Sequence, residues 1–512
     1  MRKLRNHISY FIFYISCLIF AAFVQVSCTS RPSSVPATFT ELADSAEIYP
    51  DYRDVTIPPN IAPLNFMVKD NGASEFVVTM DDLVCGAATD GKFDIDTIAW
   101  RQLLSSAKGK DVNVSIYAHR ENGWVRYLPY TFHVAEEEID PYLSYRLIEP
   151  GYELYRQIGL YQRNVTNFDE SVIYENNRTF DSDDNHCVNC HNYQNYDTER
   201  MLFHVRASHG GTIIIHGSEA HKIAIKHDSI LSAGVYPSWH PTLPLIAFST
   251  NKTGQVFHML HKEKIEVLDE ASDLLLYDAE KNTVHNVLKT TDYLETFPCW
   301  SPDGRRLFYC SAAMPAALID NYSSDKMAMH YDSLFYNIYS MSFDPDTRTF
   351  GEPQLEFDAA ALGKSTSVPR VSPDGRYLLF TLGDYGQFHI WHKSADLWIK
   401  DLQETGDAVR PLTEANAPDQ PDSYHSWSSN GRWIVVASRR DDGNFSRAYI
   451  AYFDSEGQAH RAFLLPQWDP EYNLKLLKSY NVPELTKSAV KVNIETLKHV
   501  VYHTEAEVAD YK

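Results

Sequence analysis

The sequence predicts an all-β protein whose main body is a β-propeller of five to seven four-stranded blades, preceded by a small β-sandwich. Three observations carry this. Stretches of one hairpin-forming pattern recur in the second half of the chain, and each is followed by a second hairpin. Aromatic residues make up 13% of the 512 residues, with 32 Tyr and 9 Trp, which suits half-buried strand faces.

The chain opens with Arg2, Lys3 and Arg5, an apolar run from about Tyr10 to Val24, and then Val26-Ser27-Cys28. This reads as an export signal over residues 1–27, with Cys28 as the lipidated first residue of the mature chain. A retained anchor helix, or ordinary cleavage that leaves Cys28 free, are the alternatives. Losing residues 1–27 moves the formal charge from -22 to -25. No basic field attracts phosphates, so nucleic acid is excluded as a partner.

Residues 28–60, rich in Pro, Ser and Thr, read as a tether. Residues 61–145 alternate in SEFVVTM, DVNVSIYAHR and WVRYLPYTFHVA, with a helix near Trp100 to Ser106, which predicts the β-sandwich. Residues 146–210 form a connector, Tyr-rich as far as Phe180. The propeller is expected over 211–465, where YPSWHPTLPLIAFSTN (236–251), FPCWSPDGRRLFYCSA (297–312), VPRVSPDGRYLLFTLG (368–383) and YHSWSSNGRWIVVASR (424–439) repeat. In each, a turn of the Ser-Pro-Asp-Gly kind precedes an alternating apolar strand: Pro fixes φ and Gly takes the left-handed position. The turns at His240 to Leu243 and Ser428 to Gly431 depart from the pattern and are expected to differ in type. Residues 312–335 read as an inserted loop. In the C-terminal segment, 466–512, a strand within 486–503 is expected to close the ring with the half-blade at 211–228.

The connector carries the chemistry, in DNHCVNCHNY (184–193). Seven Cys occur, and once Cys17 and Cys28 are set aside with the signal, Cys85, Cys299 and Cys310 are scattered while Cys187 and Cys190 are paired by spacing. C-x-x-C-H suits a covalent haem, because two thiols three positions apart reach the two vinyl groups on one haem edge while His191 reaches the iron. A thiol redox pair, a disulfide and a structural metal site remain as rivals. Met201 and His204, ten and thirteen residues beyond His191, are the nearest candidates for a sixth iron ligand, with His209, Met327, Met329 and His330 more remote.

The repeat resembles the TolB-type propeller repeat, with Ser-Pro-Asp-Gly intact at Ser301 to Gly304 and Ser372 to Gly375. The motif resembles c-type cytochrome attachment sites, and the whole chain resembles exported single-haem TolB-like lipoproteins of Bacteroidetes-type bacteria. The resemblance implies one covalent haem c, held between the sandwich and the propeller by Cys187, Cys190 and His191. It also implies a lipid anchor at Cys28 that faces the periplasm, the outer membrane being the expected site. Electron transfer to a redox partner protein is the function expected first. A haem-dependent oxidoreductase with its active site on the propeller is the second. A protein- or glycan-binding envelope scaffold with a structural or sensory haem is the third. A hydrolase is set aside because no G-x-S-x-G occurs.

Overall fold

Strands whose two faces are both apolar must be covered on both sides, and in this chain they are covered by one another. The computed structural model describes residues 34–85, 89–149, 157–176, 186–258, 263–319, 323–404, 406 and 408–512. The export signal and Cys28 lie outside the described residues. Among those described, no helix is long and apolar enough to cross a membrane.

Among the described residues six propeller sheets follow in chain order, one per blade. The first contains Tyr142–Ile148, Gly159–Asn164 and Glu170–Glu175. The second contains His186–Gln194, Asp197–Ala207, Gly211–His216 and Glu219–Ala224. The third to sixth begin with Gly234–Trp239, Tyr293–Trp300, Ser365–Val371 and Asp422–Trp427. The first blade receives its inner strand from far along the chain, because Ser479–Thr486 pairs antiparallel with Tyr142–Ile148. These six inner strands touch their neighbours in turn and enclose a central channel.

Each inner strand pairs with the next strand of its blade across a bulge. Bulges re-aim a side chain, and here they aim one per blade into the channel. In five blades the bulged residue is left-handed: Tyr236 (φ 48), Phe297 (φ 53), Val368 (φ 52), Tyr424 (φ 52) and Val482 (φ 47). For β-branched Val368 and Val482 this conformation stores roughly 1–3 kcal/mol of strain, which the packed ring around them sustains.

The repeat turns hold as expected and extend further. Ser301 Oγ lies 2.5 Å from Asp303 Oδ1, and Gly304 N donates to Ser301 O at 2.9 Å. Ser428 to Gly431 forms the same turn: Ser428 Oγ lies 2.6 Å from Asn430 Oδ1 and Gly431 N donates to Ser428 O at 2.9 Å. Asn430 matches Asp in shape, so the expected difference in turn type does not arise. At His240 the imidazole replaces the hydroxyl, with Nδ1 accepting from Leu243 N at 2.9 Å.

Several expected boundaries shift. The tether region is folded from residue 40 onward: Thr40–Glu41, Ile48–Tyr49 and Thr56–Ile57 are strands of the N-terminal sheets, and Tyr52 and Val55 are buried. That domain is a seven-stranded sheet and a three-stranded sheet around the helix Thr97–Ala107, and its last strand is Tyr130–Val134. Its core runs on into the sixth blade through Trp433, Val435 and Ile450. The connector is no connector: among its described residues Tyr142–Ile148, Gly159–Asn164, Glu170–Glu175, His186–Gln194 and Asp197–Ala207 are blade strands, paired through their own hydrogen-bond ladders. Closure falls to residues 479–486 rather than 486–503, most of which is the helix Ile494–His503, and the closing partner is Tyr142–Ile148 rather than 211–228. The insertion carries helices Ala316–Ile319 and Ser324–His330, with Leu318 and Met327 packed into the core of the fourth and fifth blades.

Candidate functional site

Because the second blade begins at His186, the motif lies on an inner strand of the ring. Alternation would point residues three apart to opposite faces. The bulge between Asn189 and His191 leaves Cys190 as the extra residue and shifts that parity, so Cys187 and Cys190 both line the channel. Cys190 thus stands at the register of Tyr236, Phe297, Val368, Tyr424 and Val482. His191 stands where Pro237, Pro298, Pro369 and Pro483 follow those residues, and His425 holds the same place in the sixth blade.

The cavity they line has a volume of about 1120 Å³, just above the ~300–1,000 Å³ usual for ligand and cofactor sites. Tyr236, Phe297, Tyr424, Phe388 and Trp391 form much of its wall, with the Tyr236 and Phe297 rings 4.4 Å apart. Arg146, Arg206, Arg370 and Arg439 also face it.

Deeper in the wall, His191 Nε2 lies 3.5 Å from Glu484 Oε2, and both atoms are buried without a hydrogen bond. Burial, with Arg146 adding to it, lowers the His191 pKa from 6.5 to about 3. Burial raises the Glu484 carboxyl from 4.5 to about 7, against the pull of Arg370 and a hydrogen bond from Asn192. The imidazole is therefore neutral at physiological pH, with a lone pair on offer, which is the state that binds a metal.

The other readings of the motif can be set against the same geometry. Cys187 and Cys190 are free thiols, and in an extended strand their Cα atoms lie roughly 10 Å apart, beyond the ~7 Å limit of a disulfide. The motif pairs in an antiparallel sheet, not at the strand-to-helix junction of a thioredoxin-like pair. Among the described residues, no group of three or more His, Cys, Asp or Glu is arranged to hold a metal ion.

The proposed sixth ligands lie elsewhere. Met201 is fully buried among Tyr174, Phe203 and Ile215 in the core between the first and second blades. His204 lies on the opposite face of the same strand, lining a separate cavity of about 340 Å³, with Nδ1 3.2 Å from Thr212 Oγ1. His209 packs its ring 4.5 Å from Tyr502, Met327 is buried in the insertion, and Met329 is exposed. What sequence reasoning missed are Arg146, Arg370, Arg439, Glu484 and His425. The register of the repeat was the available signal, since NCHNY aligns with VYPSW, TFPCW, SVPRV, SYHSW and NVPEL.

No protein-family model matches the chain, and no curated protein matches it. Similar solved structures include prolyl oligopeptidase B from Galerina marginata bound to a 35mer hydrolysis and macrocyclization substrate. It is 9% identical with a TM-score of 0.34, and the match covers 69% of this chain and 42% of that one. Dipeptidyl peptidase 4 of Porphyromonas gingivalis is 9% identical with a TM-score of 0.29, over 62% of this chain and 46% of that one. The chain spans less than half the length of both, and likeness at this level carries no argument about activity; the all-β propeller rests on the six sheets themselves.

Proposed function

We propose that the chain is an exported, lipid-anchored protein that carries one covalent haem c on the wall of its propeller channel. On this reading it serves electron transfer or redox-linked binding in the cell envelope. The observation that supports this best is that Cys187, Cys190 and His191 line one large cavity together, with His191 Nε2 buried and free of any hydrogen bond. In this reading the two thiols hold the haem edge and His191 holds the iron. Haem, when bound, supplies a one-electron redox couple.

The chain's own residues do the rest. Burial keeps His191 deprotonated, Tyr236, Phe297 and Tyr424 give the site an apolar wall, and the open mouth of the channel sets access. With a formal charge of -25 once residues 1–27 are lost, the protein favours a basic redox partner, and the association weakens as salt rises. Cys28 ties it to the membrane, facing the periplasm from the outer membrane, and the TolB-type repeat is the family relation we favour.

Expression with cytochrome c maturation machinery, followed by intact-mass analysis and a haem stain on a denaturing gel, tests this. The wild type is expected to carry one porphyrin mass and the Cys187→Ala/Cys190→Ala variant none. A wild-type mass with no added porphyrin ends the proposal and leaves an envelope-binding scaffold. The size of the cavity favours a second reading, a haem-dependent oxidoreductase whose substrate enters the same channel.

A further inference from the structure

Four guanidinium groups face the channel cavity in a chain with 68 acidic and 46 basic residues. None of the four is ion-paired among the described residues, and the hydrogen-bond acceptors around them are neutral. Arg146 donates to Asn481 Oδ1 at 2.6 Å, to Val188 O at 3.4 Å and to Asn189 Oδ1. Arg439, 3% exposed, donates to Ile390 O at 2.7 Å and to Asn444 O, and its guanidinium lies 3.4 Å from the Trp391 ring centroid. Arg370 donates to Pro369 O at 3.1 Å. Asp442 and Glu484 act on Arg439 and Arg370 only through space. The one described carboxylate that lines the cavity is that of Glu149, which accepts from Gln157 N at 3.2 Å.

Of the four, Arg439 is buried, Arg146 and Arg370 are half-buried and Arg206 is exposed; positive charge withdrawn from water without a counter-charge is costly unless an anion arrives. Guanidinium is the group whose planar fork matches a carboxylate with two parallel hydrogen bonds. Between these forks the wall is aromatic. The occupant that fits is therefore flat and largely apolar, with acid groups on its edge.

We propose that the cavity arginines receive two carboxylates of the ligand. Resting on the haem reading, these are the two propionates, and the charge match orients the tetrapyrrole against Cys187 and Cys190 before any bond to sulfur forms. Arg370 and Arg439 are the inner receivers, and Arg206, exposed, stands at the mouth.

The full chain with Cys187→Ala/Cys190→Ala separates this from the covalent step. Its affinity for metal-free protoporphyrin IX and for the dimethyl ester is read by fluorescence titration. The free acid is expected to bind at least about 10-fold more tightly than the ester, and to weaken as salt rises from about 50 to about 500 mM. Arg370→Met and Arg439→Met are each expected to cost about 10-fold for the acid and nothing for the ester. Arg206→Met, at an exposed position where folding is not at stake, is expected to act in the same direction.

Equal binding of acid and ester, no porphyrin binding at all, or arginine variants that all bind the acid like the parent would each overturn the proposal. A third arm uses citrate. If citrate binds with the same arginine dependence and the porphyrin acid does not displace it, the site serves a free carboxylate and the propionate assignment is wrong. Failure of the haem reading is distinct: it is a wild-type chain without covalent porphyrin, which leaves the selectivity for acid over ester standing.

Discussion

Replacing Glu295 by Gln removes a pH dependence of stability whose direction the structure fixes. Glu295 lies on the inner strand of the fourth blade, with Oε1 accepting from Thr290 Oγ1 at 2.9 Å and Oε2 buried without a partner. Burial raises its pKa from 4.5 to about 7; the Thr290 hydrogen bond opposes this, and the negative charges of Asp273 and Asp269 add to it. A carboxyl raised in the folded state binds its proton more tightly there than in the unfolded chain. Its contribution is therefore complete below pH 4.5 and is lost as pH rises through about 7. Across that window the loss is on the order of 3 kcal/mol, at ~1.4 kcal/mol per pH unit. Gln cannot ionise, so the variant escapes it. Any cost of an unsatisfied amide is independent of pH and cancels between conditions. Unfolding entropy for a chain of this size is about 1 kcal/mol/K, so the Tm difference between variant and wild type should grow by about 3 °C between pH ~4.5 and pH ~8. The assay is calorimetry of both proteins at the two pH values. A Tm difference that stays constant refutes the reasoning.

His191→Ala is expected to leave covalent haem in place and shift the oxidised visible spectrum, since the thioethers survive and the iron loses its ligand; an unchanged spectrum assigns the iron to another residue. Met201→Leu, a volume-conserving core change, should cost under about 1.5 kcal/mol in denaturant titration and Met201→Ala about 2–5 kcal/mol, and neither should move the Soret band. Gly304→Ala forces a Cβ to 2.3 Å from His240 Nε2 at φ +68, whereas Gly375→Ala, at φ +76, meets nothing nearer than Pro302 Cγ at 3.6 Å. The first should cost several-fold more than the ~1 kcal/mol of the second, as measured by urea midpoints.

The four clean blades were legible because each announces itself with a turn before an apolar strand. The first two blades carry no such signal. The inner hairpin of the second turns at Asn195 and Tyr196, both left-handed without a glycine, and the first blade borrows its inner strand from 479–486. With those blades unread, their strands passed for a connector, and the cavity was sought between domains rather than within the ring. The position of the motif was not legible, although Cys190-His191 obeys the same register as Tyr236-Pro237 and Tyr424-His425. Closeness in sequence pointed to Met201 and His204, but strand geometry turns them to the two opposite faces of a blade, away from the channel. The arginines were illegible, because an acidic chain gives no hint of where its few cations converge.

The late arrival of residues 479–486 also imposes an order on assembly. The wall beside Glu484 and His191 is finished only when the end of the chain has threaded back to Tyr142–Ile148. Until then the ring stands open beside the two thiols, and on the proposed reading this is where the haem reaches them. After the last strand docks, the same guest would have to enter from the mouth alone. On the proposed reading a clasp of this kind makes haem loading an event of biogenesis, and a Cys187→Ala/Cys190→Ala chain truncated before the clasp is expected to exchange free porphyrin faster than the full-length variant.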